Sequence, residues 1–128
     1  MNKTALIVGG TGQFGFYIAK LLLQKRYKVY ISTRSFKNHK LNKFRLLKKK
    51  INFIKINILK NSDIKREILR ISPYYIFYLA GQSSVFNSFY KKKETLESNF
   101  LGCKKFLDII VKLKLKVKFF NASSSEIF

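Results

Sequence analysis

Three glycines stand at three-residue spacing within the stretch ALIVGGTGQFGFYIAKLL, residues 5–22. An apolar run precedes them and a helical pattern of apolar residues follows, which predicts a strand, a tight turn and a helix. In such a unit Gly9 permits the turn, Gly12 lets the backbone approach a ligand, and Gly15 lets the helix pack on the strand. Because free N–H groups at a helix start favour negative charge, the spacing indicates a phosphate-binding turn.

The end of the second predicted strand decides which nucleotide this turn would hold. An NAD site places a carboxylate about 20 residues after the glycines, where it accepts a hydrogen bond from the ribose 2′-hydroxyl. The sequence has ISTRSF at this point and no acid. Arg34, with Ser35 beside it, can pair with a 2′-phosphate, which favours NADP over NAD. The alternative interpretation is an exposed arginine in a loop of a basic protein.

A second polar group, ASSSEIF, follows the last predicted strand. Glu126 is the only acid in the last 20 residues, and it follows the carboxyl end of a central strand, where doubly wound sheets bind their ligands. A carboxylate that reaches into such a cleft can act as a general base. The competing interpretation is a polar loop in which serine caps the next helix.

Strand and helix patterns alternate along the chain. Strands are predicted at 3–8 and 27–31, and then at INFIKINI, YYIFYLAG and LKVKFFN. Helices are predicted at 13–25, at NSDIKREILRI with Asn61 or Ser62 as cap and Pro73 as stop, and at 95–112. The last helix is expected to bury Leu96, Phe100, Leu107, Ile110 and Val111. The alternation predicts an α/β fold, a Rossmann-type doubly wound parallel sheet with strand order 3-2-1-4-5.

Composition limits the class of protein. The chain has 128 residues, enough for one domain, and its apolar fraction of 47% excludes disorder. No apolar run approaches the roughly 18 residues that a membrane span needs, and no secretory signal pattern is present, so a soluble, cytoplasmic protein is expected. Cys103 and His39 have no partners at disulfide or metal-ligand spacing, so we expect no metal site.

The charge is strongly positive, with 27 basic and 6 acidic residues and a net charge of +21. Such an excess raises nucleic acid or an anionic membrane as a partner. The basic residues are mostly lysine and are scattered along the sequence, whereas nucleic-acid binding calls for a clustered patch or a recognised motif. Nucleic-acid binding is therefore the least favoured function.

Longer stretches resemble the extended short-chain dehydrogenases/reductases that act on nucleotide sugars (the NAD-dependent epimerase/dehydratase family), and among them the GDP-mannose 4,6-dehydratases. The resemblance covers essentially the whole chain and rests on TGQFG, LAGQSSVFNSF, TLESNFLGCKKFLDII and ASSSEIF. Gln13, the Gln-Ser pair at 82–83 and the Ser-Ser-Glu run at 124–126 narrow it to the dehydratases.

The resemblance implies an NADP-dependent lyase reaction on GDP-mannose: hydride moves from C4 of the hexose to NADP, the C5 proton is removed, water leaves from C6, and hydride returns at C6. It implies that Ser124 forms a hydrogen bond with the sugar and that Glu126 is the base that removes the C5 proton. It assigns the cofactor site to Gly9, Thr11, Gly12, Gln13, Phe14, Gly15, Arg34, Ser35, Asn57, Ile58, Leu79, Ala80 and Gly81. It assigns the substrate and nicotinamide cleft to Ser84, Val85, Ser88 and Asn99.

The sequence departs from the family pattern in several places. Asn57 replaces an aspartate, Phe14 replaces an acid, and Arg26 stands where a glycine normally ends the first helix, which costs helix-stop geometry. None of the seven tyrosines is followed by lysine four positions later, the pair with which the family takes the sugar proton.

The missing pair leads us to expect a truncated chain. Residues 1–128 would form an NAD(P)-binding Rossmann domain without the C-terminal substrate-binding part, inactive alone, whose last strand is an exposed edge prone to aggregation. The complete enzyme is expected to be a homo-oligomer. The alternatives are a non-catalytic NAD(P)-binding module and a fragment of another nucleotide-sugar epimerase or dehydratase.

Overall fold

The computed structural model describes residues 3–9, 12–34, 50–80 and 100–122. Within these ranges a parallel sheet contains the strands β1 (Thr4–Val8), β2 (Lys28–Thr33), β3 (Ile51–Lys55), β4 (Tyr75–Tyr78) and β5 (Lys118–Asn121). The helices are α1 (Gln13–Gln24), α2 (Asn61–Ile71) and α3 (Gly102–Lys112). The strand order β3-β2-β1-β4-β5 confirms the predicted order and fold class.

The core consists of two apolar layers, one on each face of the sheet. Strand β1 contributes to both, because successive side chains of a strand point to opposite faces. Ala5 and Ile7 pack in the layer that contains α1, whereas Leu6 and Val8 pack in the layer that contains α2 and α3, and all of them are fully buried. Burial of both faces of a parallel sheet explains why its central strand is a continuous apolar run rather than an alternating one.

The observed element bounds differ from the predicted ones mainly where strand pairing decides them. Strand β2 runs to Thr33, two residues beyond its predicted end, because Ser32 pairs with Val8 of β1 and Thr33 pairs with Lys55 of β3. Helix α2 begins at Asn61, but Lys60 is its N-cap and no side chain caps it, so the predicted capping by Asn61 or Ser62 is wrong.

Helix α3 buries a different face from the predicted one. Phe100, Leu107 and Val111 are exposed, so their predicted burial is wrong, while Leu96 lies outside the described residues. Of the residues expected inside, Ile110 is buried, and it shares that face with Cys103 and Phe106. The three-to-four-residue spacing of these side chains follows one side of the helix toward α2 and β4.

Two helices end with a basic residue in the left-handed region. After α1, Arg26 has φ 65°, its N–H donates to the Leu23 carbonyl at 3.0 Å, and the Tyr27 N–H donates to the Leu22 carbonyl at 3.0 Å. After α3, Lys114 has φ 53° and the Leu115 N–H donates to the Ile110 carbonyl at 3.0 Å. This is the Schellman arrangement, whose left-handed position glycine usually occupies, as expected for Arg26.

None of the helices in the described residues is long and apolar enough to cross a membrane.

Candidate functional site

The turn after β1 requires a glycine at position 9. Gly9 has φ 72°, and a Cβ atom added to it would lie 2.7 Å from the Ala80 Cα atom. The Gly9 N–H donates to the backbone oxygen of Ser32 at 3.2 Å and to its Oγ at 3.3 Å. Contacts with the ends of both neighbouring strands therefore fix the direction in which the chain leaves β1.

Ser32 is a positioning residue that the sequence analysis missed. Its side chain lies at the carboxyl end of β2, is 2% exposed, and accepts a hydrogen bond from the turn. The available signal was a small hydroxyl residue at the end of an apolar strand next to the glycine strand. Strand order has to be known before that signal can be interpreted, since it identifies Ser32 as the neighbour of Gly9.

The start of α1 presents backbone donors that have no acceptor in the described part of the chain. Gly12 is the N-cap, with φ −84° and ψ −175°, and the helix has no side-chain cap and no acid in its first turn. The first intrahelical bond runs from the Phe16 N–H to the Gly12 carbonyl at 3.1 Å, so the preceding N–H groups have no acceptor within the helix. Together with the helix dipole they give this end a partial positive charge.

The described residues leave space beside Gly12, at the helix start. A Cβ atom added to Gly12 would meet no heavy atom of the described residues within 4 Å. Gly15 is buried one turn into the helix, as its predicted packing role requires, and the Phe14 side chain is exposed. The close approach of Ala80 therefore explains glycine at 9, whereas no contact within the described residues explains glycine at 12.

The carboxyl ends of three more strands bring the other described candidate residues to the same edge of the sheet as the glycine turn, and we call it the carboxyl edge. Arg34 follows β2 and is exposed. Asn57 and Ile58 follow β3, while Leu79 and Ala80 follow β4. The Leu79 N–H donates to the Val8 carbonyl at 2.9 Å, which holds the exit of β4 against the glycine turn.

A local turn fixes Asn57. Its Oδ1 accepts a hydrogen bond from the Leu59 N–H at 3.0 Å, and its backbone N–H donates to the Asp63 carboxylate at 3.2 Å. Ile58 is half-buried and packs against the layer that contains α2 and α3. The side-chain Oδ1 of Asn57 retains a second lone pair, and the side-chain NH₂ group retains two donors. The side chain can therefore still bind a ligand, although it lacks a charge.

Several predicted site residues stay untested predictions. Those outside the described residues are Thr11, Ser35, Gly81, Ser84, Val85, Ser88, Asn99, Ser124 and Glu126. For Gln13 the structure describes the backbone at the start of α1 and not the side chain.

A parallel sheet in this order, with a glycine turn that leads to a helix start without a side-chain cap, has the doubly wound architecture of the Rossmann class. Residues 6–128 match the family model described as GDP-mannose 4,6 dehydratase. The chain therefore belongs to the GDP-mannose 4,6-dehydratase family, which confirms the resemblance seen in the sequence.

Individual relatives agree with this assignment. The chain is similar to GDP-mannose 4,6 dehydratase of Dictyostelium discoideum, with 32% identity over 99% of this chain and 39% of the relative. It is also similar to GDP-mannose 4,6 dehydratase 2 of Caenorhabditis elegans, with 35% identity over 99% of this chain and 36% of the relative. The chain thus spans less than two fifths of the length of these relatives.

Solved structures support the fold. UDP-glucose 4-epimerase from Brucella ovis, determined in complex with NAD, superposes with a TM-score of 0.77 at 20% identity. The superposition covers 93% of this chain and 35% of the epimerase. At this identity the likeness establishes the shared architecture.

Proposed function

We propose that this chain supplies the NADP-binding part of a nucleotide-sugar 4,6-dehydratase that acts on GDP-mannose. Membership of the family supports the reaction class. The observation that carries the cofactor proposal is the start of α1 beside the Gly9 turn, which has no side-chain cap and no described residue in contact with a Cβ position at Gly12. An N-cap without a side chain leaves the backbone donors to an anionic ligand, as dinucleotide sites require.

The carboxyl edge offers a group for each part of the cofactor. The first N–H groups of α1 would bind the pyrophosphate, and Arg34 would pair with the 2′-phosphate. Ile58 and Asn57 would line the adenine side, while Leu79 and Ala80 would form the wall beside the nicotinamide ribose. Bound NADP would supply the chemistry of accepting and returning a hydride.

The remaining proposed roles concern acid–base chemistry on the sugar. Glu126 would remove the C5 proton of the hexose, and Ser124 would bond the sugar hydroxyl near the reacting carbon. Both assignments rest on the family pattern in ASSSEIF. The carboxylate would have to be ionised in order to take the proton.

The variant Gly12→Ser tests the cofactor proposal. Serine is a favoured N-cap whose hydroxyl would occupy the N–H groups of the first turn, so the fold should be as stable as before or more stable. The same hydroxyl would compete with the pyrophosphate. We expect the dissociation constant for NADPH, measured by its fluorescence on titration, to rise at least about tenfold.

Leu21→Ser is the matched control, since it places the same residue on an exposed position of the same helix, more than two turns from the N-cap. It should leave NADPH binding unchanged. Equal affinity for NADPH in Gly12→Ser and the unmodified protein, with both folded by circular dichroism, would refute a phosphate site at this helix start.

A further inference from the structure

The edge of the sheet opposite the carboxyl edge collects basic residues. Strands begin there, and because the helices run antiparallel to the strands, α1 and α3 end there. We call this surface the basic edge and define it by Lys3, Lys25, Arg26, Lys28, Lys50, Lys112, Lys114, Lys116 and Lys118. All of them are exposed.

A row of residues crosses the sheet along the basic edge. One lysine stands at the start of each of β3, β2, β1 and β5, and Tyr74 stands at the start of β4. Backbone bonds fix the order: the Lys28 N–H donates to the Lys3 carbonyl at 2.8 Å, and the Lys118 N–H donates to the Tyr74 carbonyl at 3.0 Å. Since neighbouring strands lie about 4.8 Å apart, the row is about 19 Å long.

No acid in the described residues neutralises this row. Asp63 lies in the first turn of α2, at the carboxyl edge, and forms an ion pair with Arg66. Glu67 is bound by Arg70 one turn further along the same helix. Asp108 pairs with Lys104 at 2.8 Å in the middle of α3.

Aromatic rings stand within the row of cations. The Lys3 ammonium lies 4.0 Å from the Tyr74 ring centroid, the Lys118 ammonium lies 5.1 Å from it, and the Tyr74 and Tyr75 centroids are 4.8 Å apart. A hydrogen bond from the Lys118 ammonium and the positive charges of Lys118 and Lys3 lower the pKa of Tyr74. The Lys3 and Lys118 ammonium groups thus place two positive charges beside one ring.

We propose that the basic edge binds single-stranded nucleic acid through its phosphates. Lysine acts as a point charge toward phosphate, and proteins that bind single strands combine a cationic track with aromatic rings. The sequence argued against this partner because its lysines are scattered along the chain. The fold brings them together on one edge, which supplies the clustered patch that the sequence lacked.

The test uses fluorescence anisotropy of a labelled oligothymidylate and two triple variants of equal net charge. Lys28→Gln, Lys50→Gln and Lys118→Gln together remove lysines of the row. Lys20→Gln, Lys55→Gln and Lys65→Gln remove exposed lysines from other surfaces. We expect the first triple variant to lower affinity at least about tenfold and to reduce the slope of log K against log salt by about 2, at about 0.7 per phosphate contact.

The control triple variant should keep both the affinity and the slope. Equal weakening in the two triple variants would overturn the proposal, because binding would then follow net charge and not a surface. Tight binding to phosphatidylserine vesicles with none to the oligonucleotide would overturn it in favour of a membrane. NADPH should not displace the oligonucleotide. Displacement by NADPH would overturn the proposal, because it would place the oligonucleotide at the carboxyl edge. If the protein does not bind NADPH at all, the comparison of the two triple variants is unaffected.

Discussion

Gly9 and Gly12 belong to one motif, but glycine is needed at the two positions for different physical reasons. Gly9 has a positive φ and lies against the Ala80 backbone, so the fold itself requires glycine there. Gly12 has ordinary dihedral angles and faces open space among the described residues, which leaves ligand approach as its explanation. The motif predicts a tight turn at Gly9 and ligand approach at Gly12. It does not predict the contact between Gly9 and Ala80, because Ala80 is distant in the sequence.

At the residue scale, Arg34 should decide between the two nicotinamide cofactors. A hydrogen bond to a charged group contributes about 1.5 to 3 kcal/mol, so Arg34→Ala should weaken NADPH binding about tenfold to a hundredfold and leave NADH unchanged. Titration calorimetry with each cofactor measures this difference. Lys55→Ala, which removes another exposed cation at the carboxyl edge, is the control. If NADPH and NADH lose equal affinity in Arg34→Ala, the arginine does not read the 2′-phosphate.

Tyr78 should make the fold sensitive to alkaline pH. Burial, with a smaller contribution from Cys103, raises the pKa of Tyr78 above its usual value of 10. Above that pH the unfolded chain loses the phenolic proton while the folded chain keeps it, so the free energy of unfolding should fall by up to about 1.4 kcal/mol per pH unit.

Urea unfolding between about pH 9 and 11 measures this dependence. Tyr78→Phe should reduce the slope of the free energy of unfolding against pH by the contribution of one phenolic proton. Tyr17→Phe removes a phenol that is exposed in the folded chain and should leave the curve unchanged. The same slope in Tyr78→Phe and the unmodified protein would assign the alkaline loss to other groups.

At the element scale, strands were easier to predict than helix faces. The apolar runs of β1 and β4 are buried on both faces of the sheet and have no periodicity to misread. Helix α3 has apolar residues around most of its circumference, so the choice of Cys103 and Phe106 over Leu107 and Val111 as buried residues depends on where α2 lies. Sequence periodicity contains no information on that position.

The helix ends offer stabilising substitutions. A left-handed conformation costs a residue other than glycine about 1 to 2 kcal/mol, and a substitution by glycine removes this cost. Part of the resulting gain in stability is lost, because glycine also makes the unfolded chain more flexible. Arg26→Gly and Lys114→Gly should each raise the free energy of unfolding by about 0.5 to 1 kcal/mol in urea titrations.

Lys25→Gly provides the comparison, since Lys25 has φ −88° and gains nothing from glycine. It should lower stability. If Arg26→Gly lowers stability as much as Lys25→Gly does, the Arg26 side chain contributes more than its backbone conformation costs.

At the scale of the whole molecule, the strand order could be predicted because connections between parallel strands are right-handed and short. The distribution of charge could not be predicted, since it depends on which strand starts and helix ends meet at one edge. The described residues of the candidate site show the same difference between local and long-range features. The sequence motif located Gly9 and Gly12, whereas the contact between Gly9 and Ser32 could be found only once the pairing of β1 with β2 was known.

Within the described residues β5 pairs only with β4 and has an open side. The Lys118 and Ala122 N–H groups donate to β4, so by alternation the N–H groups of Phe119 and Asn121 point away from it. These two N–H groups have no acceptor in the ranges that the structure describes, and they should promote self-association through the open side of β5. Asn121→Pro removes one of them and should lower the average mass in concentrated solution, measured by light scattering.

Phe120→Pro is the contrasting variant, because it would remove an N–H on the side that faces β4. It should destabilise the sheet rather than the association. A monodisperse monomer at high concentration in the unmodified protein would show that β5 is not a site of self-association.

Strand β1 also links the stability of the core to the geometry of the turn. Its alternating side chains divide between the two apolar layers, and the strand leads directly into Gly9. A deletion or insertion of one codon within β1 would exchange the residues given to each layer and rotate the turn away from Ser32. This short segment therefore tolerates substitutions of similar volume far better than any change in its length.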